Sequence, residues 1–167
     1  MSDLNRSMKY SLSETDTKEW LGRTLFRIQA EKAFGSVRRG ELGGYIEAEE
    51  NLDQSGDAWV SGNARVYGNA WVYGNAQVYG NAWVSGDAQV YGNAWVYGDA
   101  RVYGDAQVYG DAQVYGDARV YGNARVSGDA QVYSGFAFGC RADSWVVTEV
   151  AVQGGVLLVG NYVGEAR

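Results

Sequence analysis

From Gly56 to Tyr133 the hydrophobic and polar positions follow one six-residue phrase, repeated without a gap. The phrase is Gly-Asp/Asn-Ala-X-Val-Tyr/Ser, which gives 78/6 = 13 copies, from Gly56-Asp57-Ala58-Trp59-Val60-Ser61 to Gly128-Asp129-Ala130-Gln131-Val132-Tyr133. Within each copy Ala-X-Val reads in-out-in, the period of a strand, with a β-branched residue at the larger inward slot. Tyr/Ser-Gly-Asp/Asn is turn chemistry, because Gly takes positive φ freely and Asp or Asn bonds nearby backbone. Nothing in the phrase reverses the chain, so successive strands cannot form hairpins. They must coil, each stacking on its equivalent one coil later at ~4.8 Å, as in a parallel β-solenoid.

The flanks carry weaker patterns. Tyr10-Ser11-Leu12 predicts a short strand, and Ser13–Leu21 a helical turn or a loop. Thr24-Leu25-Phe26-Arg27-Ile28 alternates and predicts a strand with Thr24, Phe26 and Ile28 on one face. Glu31–Arg39 has room for a second turn. Residues 1–42 read as a non-repeating N-terminal cap, which an open solenoid end needs. The rod is expected over 43–133. Ile46 and Leu52 are six apart, so coiling can begin there, and a two-residue insertion is expected near Asp53–Ser55 before Val60. Residues 134–167 read as a degenerate terminal coil and C-terminal cap. Phe136-Ala137-Phe138 is expected to keep the hexad slot and Ser144-Trp145-Val146 to add another rung. The segment Val156-Leu157-Leu158-Val159 is apolar on both strand faces, which predicts an oligomer contact or a buried end.

An aliphatic residue at every sixth position (Val60, Val66, Val72, onward to Val132), with Ala two before it, resembles the hexapeptide-repeat proteins. That resemblance implies an all-β, left-handed parallel β-helix, triangular in section, with three hexads per coil. Stacking the X positions of every third hexad gives three outward faces. One reads Trp59, Gln77, Trp95, Gln113, Gln131; the second Arg65, Trp83, Arg101, Arg119; the third Trp71, Gln89, Gln107, Arg125. Leu-Gly-Gly-aromatic-Ile-Glu at 42–47, then Glu-Asn-Leu at 50–52 and Gly-x-Ala-Trp-Val at 56–60, is similar to hexapeptide-repeat proteins common in bacteriophage and prophage genomes. Those relatives carry polymer-forming or transferase-like descriptions that rest on the repeat, so the likeness implies a fold more than an activity.

Composition narrows the function. Net charge is −6 with pI about 4.6, which argues against a groove for nucleic acid duplex. Within the rod seven Asp stand against four Arg, and the Asp occupy turn positions. The lone Cys140 excludes a disulfide framework within the chain. Met1–Lys18 lacks the apolar region of a signal peptide, and no stretch has the roughly 18 apolar residues of a membrane span, so a cytoplasmic location in a bacterial host is expected. There is no histidine. Hexapeptide acyltransferases use a histidine base, and the zinc anhydrases of that fold bind metal through histidines. The expectation is therefore no enzyme, no catalytic residue, no metal and no cofactor.

The aromatics remain. Ten Tyr of the rod sit at the corner slot, where ring-on-ring ladders are expected. Trp59, Trp71, Trp83 and Trp95 sit at outward slots, and Arg65, Arg101 and Arg119 share the face of Trp83. Two readings of this surface stay open: mutual stacking along the rod, or a contact surface for a host protein or a small, nucleotide-like ligand. The function expected is a non-enzymatic phage-type binding protein that engages or sequesters a host factor or signalling molecule, including one of antiviral defence, and forms a homo-oligomer, a trimer by preference. The alternatives are a self-assembling or virion-associated structural protein and a hexapeptide-type acyltransferase.

Overall fold

A two- or three-residue strand gains little from its own backbone, so the repeat is stable only as a stack in which every rung bonds the rungs above and below. The computed structural model describes residues 8–133, together with the backbone of Phe136–Gly139, Trp145–Val146 and Asn161–Tyr162. It is a nearly all-β parallel solenoid whose rungs fall into three stacks. The first holds Arg65–Val66, Trp83–Val84, Arg101–Val102 and Arg119–Gly122; the second runs from Trp59–Val60 to Gln131–Val132 in five rungs; the third runs from Trp71–Val72 to Arg125–Val126 in four. Along each stack the register advances by three hexads per rung, as in Trp95↔Gln113 and Arg101↔Arg119. The three outward faces expected from the sequence are therefore the three faces of the rod.

Backbone bonds run continuously along the axis. Asn93, Trp95 and Tyr97 donate their N–H groups to the carbonyls of Gly110, Ala112 and Val114 at 2.8–2.9 Å. The corners carry the same bonding along the axis: Asn63, Asn75 and Asn81 donate their N–H groups to the carbonyls of Gly80, Gly92 and Gly98. Inside, the Ala and Val side chains from Ala58 to Val126 are buried to 0–5% exposure. At the corners only glycine fits: Gly98 has φ 70°, and a Cβ there would lie 3.0 Å from the Gly116 nitrogen one coil on.

The N-terminal end is closed by three strands, β1 (Tyr10–Trp20), β2 (Arg23–Ala30) and β3 (Leu42–Ile46), which extend the first stack. β1 and β2 form an antiparallel hairpin, β2 pairs antiparallel with β3, and β3 joins the rod in parallel through Tyr45↔Arg65. Ser13–Leu21, expected as a helical turn or loop, is strand as far as Trp20. Its polar residues face solvent while Thr17–Trp20 pair with Arg23–Phe26. Leu21 (φ 50°) and Gly22 (φ 75°) make the tight turn. Glu31–Arg39 holds no helical turn either. Phe34 and Val37 exchange backbone bonds around Gly35 and Ser36. The expected Thr24/Phe26/Ile28 face is broken by a register shift between Arg27 and Gln29, so Leu25 as well as Ile28 is buried.

Coiling does begin at Ile46 and Leu52. Ile46 pairs with Val66 and Leu52 with Val72, each beyond the three-hexad interval by the expected two-residue insertion. Buried Asn51 secures that irregular coil. Its side chain accepts the N–H groups of Glu47 and Ala48 and donates to the carbonyls of Gly68 and Ala70.

Beyond Val132 two expectations change. Phe136–Gly139 adds a parallel rung, but Ala137, not Phe138, pairs with Val120, one position short of three hexads. Trp145–Val146 pairs antiparallel with Asn161–Tyr162 instead of adding a parallel rung. In the hexad frame its corner position is Ala142, which lacks the freedom of glycine at positive φ. Val156–Val159 and Cys140 lie outside the described residues.

Candidate functional site

Outward residues on a solenoid are displayed at fixed spacing, so the site question is which of them the cap leaves open. The hairpin acts on both ends of this question. Its near half plugs the rod: Tyr10, Ile28 and Ala30 join the main core, and the Tyr10 hydroxyl donates to the carbonyls of Leu52 (2.6 Å) and Glu49 (3.0 Å). Lys9 is buried with it. Its Nζ donates to the carbonyls of Ala58 (2.9 Å) and Ser55 (3.2 Å) and lies over the Phe34 ring. Burial lowers its pKa to about 8, although Asp53 and Asp57 pull the other way.

The far half of the hairpin bends along the outside of the first stack. Trp20 meets Trp83 edge-on at 4.8 Å, and the Arg65 guanidinium lies over the Trp20 ring at 4.1 Å. Arg101 covers Trp83 from the next rung at 4.3 Å. Leu25, Tyr45 and Tyr67 form a small second core beneath. Arg23 pairs with Glu47 at 2.7 Å, and Glu47 also accepts the Gly68 N–H. Burial would raise the Glu47 pKa, but these two partners outweigh it and the pKa is lowered.

The outward tryptophans therefore divide. Trp59 is buried at 3% exposure, edge-on to Phe34 at 5.3 Å and Tyr10 at 6.4 Å; the expectation that it offers a contact surface is corrected, because the cap sits on it. Trp83 and Arg65 are half-buried and engaged with Trp20. Arg101 and Arg119 neighbour one another on the same face, partly exposed. Trp71 and Trp95 remain open, at 41% and 45% exposure, on two different faces.

The two open rings differ. Trp71 stacks on Tyr73 at 4.0 Å, which occupies one indole face. Trp95 touches Tyr79 only edge-on, at 6.2 Å and 75°, and its neighbours in the stack are Gln77 and Gln113. Beside Trp95 lies a cleft of about 450 Å³. It is lined by Asp57, Asn75 and Asn93 from the corners, by Gln77 and Trp95 from the strands, by the corner ring of Tyr79 and by Ser36 of the cap turn. Sequence reasoning singled out Trp95 but not its neighbours. The signal was present: stacking the second position of every third hexad puts Asp57 below Asn75 and Asn93.

The corner tyrosines form the ladders expected. Tyr79, Tyr97 and Tyr115 stack at 4.8 and 4.9 Å, Tyr73, Tyr91 and Tyr109 at 4.8 and 5.0 Å, and Tyr103 and Tyr121 at 5.0 Å. Among the described residues no group of three or more His, Cys, Asp or Glu is placed to hold a metal, and no helix is long and apolar enough to cross a membrane.

The architecture defines a repeat protein of the β-solenoid class. A family model described as YdcK beta solenoid repeat matches residues 55–75, 76–92, 88–104, 94–110, 112–122 and 118–134, which is the rod without its cap. No curated protein matches the chain.

Proposed function

We propose that this is a non-enzymatic, phage-type binding protein that uses a rigid β-solenoid to engage or sequester a host factor or a small signalling molecule in the bacterial cytoplasm, as a homo-oligomer, preferentially a trimer. The observation that carries the reading is the pair of open tryptophans, Trp71 and Trp95, held on rungs hydrogen-bonded into the stacks of the rod. Water-exposed indole on a preorganised surface suits binding, since little side-chain or backbone entropy is left to lose. Retention of a stoichiometric ligand or protein from bacterial lysate, lost in the Trp71→Ala/Trp95→Ala double variant, would support it. Retention unchanged by that variant would refute the assignment to these rings.

A second reading is self-assembly. It is favoured by the sequence Val156-Leu157-Leu158-Val159, apolar at positions for both strand faces. Mass that grows with protein concentration in light scattering would support assembly over a closed small oligomer. An acyltransferase remains the third reading, tested by acetyl-CoA turnover.

A further inference from the structure

We infer that the cleft beside Trp95 is a saccharide-binding site, with the open indole face as the platform and the Asp57/Asn75 corner as the hydroxyl acceptor. The inference rests on the binding reading above and names its ligand class.

The argument begins with donor counting along one corner. Asn75 donates its Nδ2 to Asn93 Oδ1 at 3.1 Å, and Asn93 donates to Asp111 Oδ1 at 2.9 Å. Below them stands Asp57, an acceptor only. Five rungs, Asp57-Asn75-Asn93-Asp111-Asp129, make four gaps, and two amides supply the donors. Each planar amide sends its nitrogen toward one neighbour and its oxygen toward the other. However the amides are turned, two gaps set acceptor against acceptor. In the structure these are Asp57/Asn75 and Asp111/Asp129, and of the two only Asp57/Asn75 lies on the wall of the cleft beside Trp95. Such a gap is filled from outside by a group that donates to two oxygens about one rung apart.

The rest of the cleft says what kind of donor. Gln77 spends its amide hydrogens on the carbonyls of Asp57 (3.0 Å) and Asn75 (3.4 Å). That leaves its oxygen for a ligand, while the Ser36 hydroxyl can donate or accept. Trp95 supplies a flat apolar face flanked by the amides of Gln77 and Gln113. A pyranose combines an apolar C–H face with a rim of hydroxyls that both donate and accept. A phosphate-bearing ligand is disfavoured, because the cleft offers it a carboxylate and no cation among its lining residues. A cationic amine is less suited, because the buried Lys9 ammonium already attracts Asp57. The cleft is more open than enclosed, which suits an extended oligosaccharide laid across the indole better than a small molecule needing burial.

The decisive variant is Asp57→Asn. An amide at position 57 can donate to Asn75 and close the gap from within. It is expected to keep or raise the melting temperature while weakening saccharide binding about tenfold or more. Trp95→Ala is expected to lose binding to a similar extent, and Gln107→Ala, on the third face, to leave it unchanged. The probes are tetra- to hexasaccharides of glucose, N-acetylglucosamine, mannose, galactose and rhamnose, on an array and then by titration calorimetry, with spermidine as the cationic comparison. Binding of at least one oligosaccharide, lost in both Asp57→Asn and Trp95→Ala, supports the inference. No binding across the panel, binding indifferent to Asp57→Asn, or binding of spermidine alone overturns it. If lysate capture depends on Trp95 while no saccharide binds, the ligand class falls and the binding reading stands; if nothing depends on Trp71 or Trp95, both fall.

Discussion

The tyrosine ladders allow a direct test of what stabilises the rod, because the repeat contains its own control. Ser occupies the same corner slot at 61, 85 and 127, so Tyr→Ser leaves a backbone the fold already accepts. Tyr97 lies between Tyr79 (4.8 Å, 1°) and Tyr115 (4.9 Å, 4°) and has two ring contacts along its ladder. Tyr103 stacks on Tyr121 at 5.0 Å, but its neighbour on the other side of the slot is Ser85, so it has one. An aromatic pair contributes about 0.5–1.5 kcal/mol beyond its area burial. Tyr97→Ser is therefore expected to lose about 1–3 kcal/mol and Tyr103→Ser about half of that. Each variant would be unfolded in urea and followed by far-UV circular dichroism on the full chain. The comparison is made only if the slopes agree, since solenoids can lose two-state behaviour. Equal losses within about 0.3 kcal/mol would refute stacking as the source, since independent contacts should add to that tolerance. Such a result would leave solvation of the corner, common to both sites, as the explanation.

Three further expectations follow from the geometry. Asp99→Asn should stabilise by about 0.2–1 kcal/mol, because Asn81 already donates to residue 99 at 3.0 Å and a new amide could donate to Asp117; an unchanged urea midpoint would count against the ladder. Gly44→Ala should destabilise by about 1–3 kcal/mol and release the cap to proteolysis, because its Cβ would lie 2.7 Å from the Ala64 carbonyl oxygen and 2.8 Å from Val60 Cγ1. Stability should rise between about pH 8 and 10, where the unfolded chain keeps a Lys9 proton that the folded chain has released. It should fall above about pH 10, where the Tyr10 phenol, its pKa raised by burial, stays protonated only in the folded state; urea midpoints across pH, with Lys9→Met flattening the rise, test both signs.

The rod was legible because its period is both a local and a global rule. Ala-X-Val sets the in-out pattern, Gly sets the corner, and the stacking that aligns Trp95 with Gln113 follows once three corners close a coil. The insertion before Val60 was legible for the same reason, as a broken interval. The cap was not. Residues 13–20 are polar in sequence because they form the outer part of a hairpin, and what makes them strand is pairing with β2, a long-range contact that leaves no periodic trace. The cover that the cap places over Trp59 and Trp83 was missed for a related reason. Periodicity correctly places a side chain outside the coil, but outside the coil is not outside the protein when a non-repeating segment folds over it.

That distinction reorganises the tryptophan surface. The four outward Trp of the rod crowd its N-terminal half and, on sequence alone, stand on all three faces. In the structure the crowding has two causes. Trp59 and Trp83 are where the hairpin grips, through Tyr10 and Phe34 on one face and Trp20 with Arg65 on another. Their position is set by the reach of a hairpin anchored at the first coil. Trp71 and Trp95 lie within the same reach along the axis, yet no cap ring is stacked on either, and they stay open. Of these, Trp71 turns one indole face to Tyr73, whereas Trp95 stands between two glutamines and lines a cleft together with Ser36 of the cap. The cap thus closes the rod, buries Trp59, partly covers Trp83 and contributes Ser36 to the cleft beside Trp95. A chain shortened to the repeats alone would expose Trp59 and lose Ser36 together, so the full lining of the cleft beside Trp95 and closure of the rod depend on the same segment.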